Sequence, residues 1–316
     1  MHSANPLLKL ESVSRDFDVS QPWLNRVIER EPRRILRAVD RVSFEVKSGE
    51  TLALVGESGC GKSTVARLIA GLYAPSEGRI EFRGRRLQMI FQDPLTSLNP
   101  LYTIGQQLEE TILTHLPLNK NQARERALSL LREVGIPAPE ARYGAYPHHF
   151  SGGMRQRVVI ALALAAEPRL LIADEPTTAL DVSIQAQIIA LIKRLAGERG
   201  AAVMLITHDM GVIAETAQRV AVMYAGRVVE IGPVRDVIHS PRHPYTVGLM
   251  GSIPKIGIRQ ERLLQIEGAM PRLNAIPPGC AFNPRCPRRF ERCLVERPDL
   301  LSAGSSRAVC WLHALS

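Results

Sequence analysis

Thr51-Leu52-Ala53-Leu54-Val55-Gly56-Glu57-Ser58-Gly59-Cys60-Gly61-Lys62-Ser63-Thr64 is the stretch on which the reading of this chain turns. Thr51 to Val55 is an apolar, β-branched run of the kind found in strands buried on both faces. The residues from Gly56 to Ser63 fit G-x-x-x-x-G-K-[ST], and a run with helical spacing, Ser63 to Ala70, follows directly. Strand, glycine-rich turn and helix in that order make a phosphate loop. The glycines let the backbone curl until its N–H groups converge on phosphate oxygens, and the helix adds its positive end. Lys62 would reach the β- and γ-phosphates, and Ser63 would ligate Mg²⁺. The expected nucleotide-binding set is therefore Gly56, Glu57, Ser58, Gly59, Cys60, Gly61, Lys62, Ser63 and Thr64, with Cys60 a spacer rather than a nucleophile.

Working outward, the apolar runs Leu170 to Ala173 and Ala202 to Ile206 read as further buried parallel strands, with Gln156 to Ala165 and Ile184 to Leu195 as helices. The alternation predicts a doubly covered α/β core. Asp174 and Glu175 stand at the C-terminal end of their strand, where open α/β sheets place ligands. Asp174 is expected in the Mg²⁺ shell, and Glu175 is expected to orient and polarise the water that attacks the γ-phosphate. Residues 93 to 150 carry helical runs, Ile104 to Leu116 and Asn121 to Val134, and no strong strand. They predict an inserted helical subdomain reaching to about 165. Ser151-Gly152-Gly153-Met154-Arg155-Gln156-Arg157 opens a helix with a cap and several unpaired N–H groups, a second anion-binding start. Arg219 to Tyr224 and Arg227 to Ile231 flank Ala225-Gly226 as an antiparallel hairpin.

The composition fits a folded globular protein: 316 residues, 45% hydrophobic and 22% charged. The longest apolar run, Val158 to Ala166, is nine residues, against about 20 for a membrane-spanning helix. The N-terminus carries neither the basic start nor the apolar stretch of a secretory signal, so the cytosol is the expected location. The net charge is +9, and about +6 of it lies between Pro241 and Ser316, where 11 Lys+Arg face 5 Asp+Glu. An accessory region is therefore expected over 241–316, after a main domain over 1–240.

Phosphate loop, Ser-Gly-Gly-x-x-Gln-Arg signature and Asp-Glu strand follow one another here in the order and spacing of the ATP-binding cassette (ABC) family, which the chain resembles. The resemblance implies an ABC-type nucleotide-binding domain and ATPase activity. It makes Gln92, in Met89-Ile90-Phe91-Gln92-Asp93-Pro94, the Q-loop glutamine touching Mg²⁺ and the water, and places Asp181 in the D-loop Ala179-Leu180-Asp181. His208 corresponds to the switch histidine at the γ-phosphate. Phe17 sits where the family stacks an aromatic on adenine, though alone it reads equally as a core residue. Ser151, Gly152, Gly153 and Gln156 become nucleotide-binding residues that act on the ATP of an opposing subunit, so the working unit is a dimer with an identical or paralogous ATPase.

Three further motifs are similar to the peptide and nickel importer branch: Phe91 to Pro100, Tyr146-Pro147-His148-His149-Phe150 and His243-Pro244-Tyr245-Thr246. That likeness implies two membrane permease subunits, an extracytoplasmic solute-binding protein acting indirectly, no nucleic acid, and a peripheral position on the cytoplasmic face of the inner membrane. It departs at residues 18 to 37, which lengthen the link after Phe17. The alternative, a soluble ABC ATPase of iron–sulphur assembly or of nucleic acid and ribosomes, fits less well: about 90 residues between Lys62 and Ser151 leave no room for a coiled coil. Cys280, Cys286, Cys293 and Cys310 lack paired C-x2-C knuckles; four thiolates suit an iron–sulphur cluster or zinc, or they are free buried thiols. Similar tails in the branch are associated with a [4Fe-4S] cluster. Arg285, Arg288, Arg289 and Arg292 read as partners for such a cluster, a membrane or RNA, or as a solvated basic face. His148-His149 reads as a loop-shaping pair before a metal pair.

Overall fold

The structure is a computed structural model, and it describes residues 5–22, 25–26, 32–178, 180–252 and 266–314. Its strands are β1 (Leu8–Asp18), β2 (Ile35–Val46), β3 (Thr51–Val55), β4 (Glu77–Phe82), β5 (Leu87–Ile90), β6 (Leu170–Asp174), β7 (Ala202–Ile206), β8 (Arg219–Tyr224), β9 (Arg227–Pro233), β10 (Leu301–Ala303) and β11 (Ser306–Ala308). The chain forms two compact units.

One unit comprises Arg83–Thr207 with Val46–Thr51 and the stretch up to Leu7. In it β5, β6 and β7 pair in parallel, Ile90 opposite Ala173 and Asp174 opposite Ile206. β6 and β7 are buried along their whole length, as their unbroken apolar runs predict. β5, not expected from the sequence, is a four-residue edge with only Ile90 buried. The inserted segment is helical. Its helices Ile104–His115 and Lys120–Glu133 both start at reciprocal capping boxes, Thr103 with Gln106 and Asn119 with Gln122. Each such cap is worth about 1 kcal/mol. Both helices pack against Gly152–Ala165, which buries Val158, Ile160 and Leu164 along with Gln156 and so shows no one-sided apolar stripe.

The other unit comprises Leu8–Glu45, Leu52–Phe82 and His208–Ser316. β2, β1 and β4 form one sheet, with β1 antiparallel to β4. Asp18 ends β1 and Ile35 begins β2, and Arg37 Nε donates to Asp16 Oδ1 at 2.8 Å, so the lengthened link is tied at its base. A second set runs β10-β11-β9-β8-β3, with β3 parallel to β8. The hairpin β8–β9 turns on Ala225 (φ 46°) and Gly226 (φ 82°), two successive left-handed residues, as the tightest hairpin turns require. The tail beyond 240 joins this architecture: β11 pairs with β9, and Tyr245 and Phe282 are buried in one core with Val55, Val222 and Tyr224. No helix among the described residues is long and apolar enough to cross a membrane.

Candidate nucleotide site

The phosphate loop curls between β3 and the helix Lys62–Ile69. Gly56 and Gly61 are fixed there by space as well as by φ. A Cβ on Gly56 would lie 2.2 Å from the Met223 carbonyl oxygen, and one on Gly61, at φ 106°, would lie 2.5 Å from that of Ala38. No side chain caps the helix at Gly61, as suits a helix start that offers its N–H groups to an anion. Lys62 is buried, and its Nζ donates to the carbonyls of Gly56 (2.8 Å) and Glu57 (3.1 Å), which holds the ammonium inside the curl. Ser58 and Gly59 are exposed at the rim. Cys60 is fully buried, its thiol pushed up by burial and its carbonyl taken by the Gly226 N–H, which fits a spacer.

Phe17 is half-buried, with the Arg15 guanidinium 4.7 Å from its ring centroid and the Tyr73 ring edge-on at 5.4 Å. Arg15 also lies 5.4 Å from the Tyr73 ring. An aromatic–cation cluster therefore stands where the sequence offered Phe17 alone.

In the unit of β5, β6 and β7, Asp174 is buried at the end of β6 and Glu175 follows at φ 46°. That left-handed conformation is strained for a residue with a side chain, and the Glu175 N–H bonded to the Ile206 carbonyl (2.9 Å) helps hold it. The Glu175 carboxylate is gripped through one oxygen. Gln92 Nε2 donates to Oε2 at 3.0 Å, and Thr178 Oγ1 donates to it at 3.1 Å. Gln92 and Glu175, 83 positions apart, thus meet through a side-chain hydrogen bond, and Thr178 is a further partner in the turn after the strand.

Ser151 caps Gly152–Ala165, its Oγ accepting from the Met154 N–H at 3.4 Å, and Gly152 lies exposed at the helix start. A Cβ on Gly153 would meet Ile184 Cγ2 at 3.2 Å, so the signature backbone lies against the helix Val182–Glu198. Gln156 is buried with Nε2 lacking a hydrogen-bond partner. Asp181 is the exposed N-cap of Val182–Glu198, and Ala179 of the same loop lies outside the described residues. In the other unit, His208 is exposed just before the helix Met210–Thr216, which Asp209 caps through the N–H groups of Gly211 (2.8 Å) and Val212 (3.1 Å).

Cys280, Cys286, Cys293 and Cys310 line one small cavity, together with His243, Phe282 and Arg288. All four are free thiols, and burial pushes that of Cys280 up to about 11, with the other three cysteines adding to the shift. Among the described residues no group of three or more His, Cys, Asp or Glu stands ready to hold a metal ion. His148 stacks on Tyr146 in the turn before the signature and His149 meets both rings edge-on, consistent with loop shaping.

Arg285 departs from the sequence reading. Its side chain is 7% exposed and bonded to Glu57 of the phosphate loop, rather than facing a membrane or RNA. Arg292 lies 3.6 Å over the Trp311 ring.

A model of the ABC transporter family matches residues 39–178, and a model of the oligopeptide/dipeptide transporter C-terminal region matches residues 229–293. The dipeptide transport ATP-binding protein DppD of Bacillus subtilis (strain 168) is 49% identical over 300 residues, 88% of this chain and 90% of its own length. The DppD of Escherichia coli (strain K12) is 49% identical over 285 residues, 84% of this chain and 87% of its own. Among solved structures, the ATP-binding cassette MJ0796 in a dimeric post-hydrolysis state bound to ADP and Pi is similar, with TM-score 0.62 and 28% identity over 72% of this chain and 99% of that one. So is cbiO1 of Clostridium perfringens, part of the ABC transporter complex cbiONQ, with TM-score 0.62 and 27% identity over 78% and 96%.

Proposed function

Because this chain belongs to the family of ABC transporter ATPases, we propose that it energises a membrane importer of di- and oligopeptides. The observation that carries this is the joint match of cassette and importer-type tail to relatives named for dipeptide transport, over most of both chains. In this reading it sits peripherally on the cytoplasmic face of the inner membrane, paired with an identical or paralogous ATPase and two permease subunits. An extracytoplasmic binding protein selects the solute.

A groove of about 670 Å³ supports permease docking. Gln88, Phe91, Tyr102, Glu110 and Leu162 line it, a mixed polar and apolar surface of the kind an amphipathic helix can use. In cells lacking this chain, uptake of a labelled dipeptide is expected to fall to background and to return with the wild-type chain. Restoration of nickel uptake alone would move the cargo to the metal arm of the branch.

The proposed residue roles rest on the family likeness together with the geometry. The loop N–H groups and Lys62 bind the β- and γ-phosphates, Phe17 with its neighbours takes the adenine, and His208 contacts the γ-phosphate. Ser63, Asp174 and Gln92 are the residues that would hold Mg²⁺, which when bound neutralises phosphate charge. Glu175 orients the attacking water through Oε1, the oxygen that neither Gln92 nor Thr178 uses. Ser151, Gly152, Gly153 and Gln156 of each subunit, with Asp181, complete the partner's ATP site.

The proposal extends to a [4Fe-4S] cluster on Cys280, Cys286, Cys293 and Cys310. Its support is that four soft thiol donors line one cavity, where a cluster would have to draw them together. Anaerobically purified protein is expected to carry roughly four iron and four acid-labile sulphide per chain, as four cysteine ligands imply, and Cys286→Ser to lose them. Zinc without sulphide, or neither, would remove the cluster.

A further inference from the structure

His243-Pro244-Tyr245-Thr246 marks the branch in sequence, but the nucleotide site gives it no task. The structure connects it to Glu57, the second residue of the phosphate loop. Tyr245 is fully buried, and its Oη accepts a hydrogen bond from the Glu57 N–H at 3.1 Å. Its own helix, Pro244–Gly251, is started by His243, whose Nδ1 accepts from the Tyr245 N–H at 3.1 Å. Burial takes the His243 imidazole down to about 3, so the ring is neutral at physiological pH and Nδ1 is free to accept. Upstream, the buried Glu230 of β9 accepts from the Arg242 and His243 N–H groups, both at 2.8 Å, and anchors the turn to the sheet.

A second tail residue meets the same glutamate. Arg285 Nη1 donates to Glu57 Oε1 at 2.9 Å and Oε2 at 3.2 Å, and to Tyr224 Oη at 3.3 Å. Arg285 is held for this by the carbonyls of Glu267 (3.0 Å) and Ile266 (3.4 Å) and lies by the rings of Tyr224 and Phe282. Glu57 is thus engaged at its N–H, its carbonyl and its carboxylate. Lys62 takes the carbonyl, and the tail takes the other two.

The three contacts differ in what happens when ATP enters. Lys62 must leave the loop carbonyls to reach the phosphates, and the loop loses that internal brace. Tyr245 and Arg285 bond the N–H and the carboxylate of Glu57 and not the Lys62 ammonium, so these contacts can persist when Lys62 moves. We infer that Tyr245 and Arg285 are positioning residues for ATP binding, which hold the Glu57 peptide in the phosphate-binding conformation while Lys62 moves. The inference rests on reading Gly56 to Ser63 as the ATP site. A pre-shaped loop raises affinity by removing an ordering cost from the binding step, with little effect on the chemical step.

The test uses the full chain for ATP binding and the importer complex for steady-state hydrolysis. A charge-assisted hydrogen bond is worth about 1.5–3 kcal/mol, and part of that acting through pre-organisation predicts that Arg285→Ala raises KM for ATP roughly tenfold with kcat within about twofold. Arg285→Lys should recover part of the loss, since it keeps the charge without the fork. Glu57→Gln should resemble Arg285→Ala, and the double variant should be no worse than either single one, because both remove the same contact. Tyr245→Phe, which deletes only the hydroxyl, should raise KM by a few-fold through the lost hydrogen bond.

Additive effects of Glu57→Gln and Arg285→Ala, or a fall in kcat with KM unchanged, would overturn the positioning role. Lys62→Ala separates this from the underlying reading. If it loses ATP while the tail variants bind like wild type, the loop is the ATP site and the clamp is wrong. If Lys62→Ala binds normally, the site assignment itself fails.

Discussion

Glu175→Gln is expected to bind ATP with near-normal affinity and to lose turnover by about 10²–10⁴-fold, the usual contribution of a positioned general base. The geometry supports that sign. Gln92 and Thr178 both donate to Oε2, and an amide oxygen placed there can still accept both bonds. The local fold should survive the exchange. What is lost is a charged acceptor at Oε1 for the water proton. The strained backbone at Glu175, φ 46°, adds a second readout. Because strain there aims the side chain, Glu175→Gly, which relieves it, should be at least as inactive as Glu175→Gln and no less stable. Single-turnover hydrolysis and ATP retention on the protein measure both; turnover near wild type in Glu175→Gln would remove it from the reaction.

Lys62→Ala should weaken ATP binding by roughly 10- to 100-fold, from a charge-assisted contact worth about 1.5–3 kcal/mol. In the folded chain the same ammonium braces the carbonyls of Gly56 and Glu57. Its removal takes a donor from the buried Gly56 carbonyl, while the Glu57 carbonyl keeps the Cys60 N–H, and costs the loop some rigidity. Alanine is a good helix former at the first position of Lys62–Ile69, so the melting temperature should stay close to wild type. Titration calorimetry with ATP beside a thermal melt distinguishes lost affinity from lost fold; an unchanged dissociation constant contradicts the assignment of the loop.

Residues that act through local order were legible before the structure. β3, β6 and β7 are unbroken apolar runs because both faces are covered, and the hairpin β8–β9 announces itself in Ala225-Gly226. The family likeness gave Gln92 and Glu175 roles at the same water, but nothing in the spacing of two residues 83 positions apart reports the hydrogen bond between them. β5 escaped because three half-exposed residues and one buried one carry too little pattern. Arg285 escaped for a different reason. A tail with 11 basic residues looks like a solvated or ligand-facing surface, and only the fold shows that one of its arginines is turned inward onto Glu57, 228 positions away. Tyr73 reached Phe17 in the same way, from a turn distant in the chain, whereas Arg15 stands two residues away on the same strand.

The pairing of β11 with β9 bears on how far the chain can be shortened. A cut after residue 240, where the motifs of the ATPase end, would strip β9 of its neighbour and leave the backbone opposite Glu230 and Ile231 without partners. An open, apolar strand edge of that kind recruits other chains. The intact protein ends its sheet instead on β10, three residues long, and such a stub offers little to pair with. Solubility, on this view, is a property the cassette borrows from its tail: the shortened chain should aggregate even though every ATP-binding residue is still present.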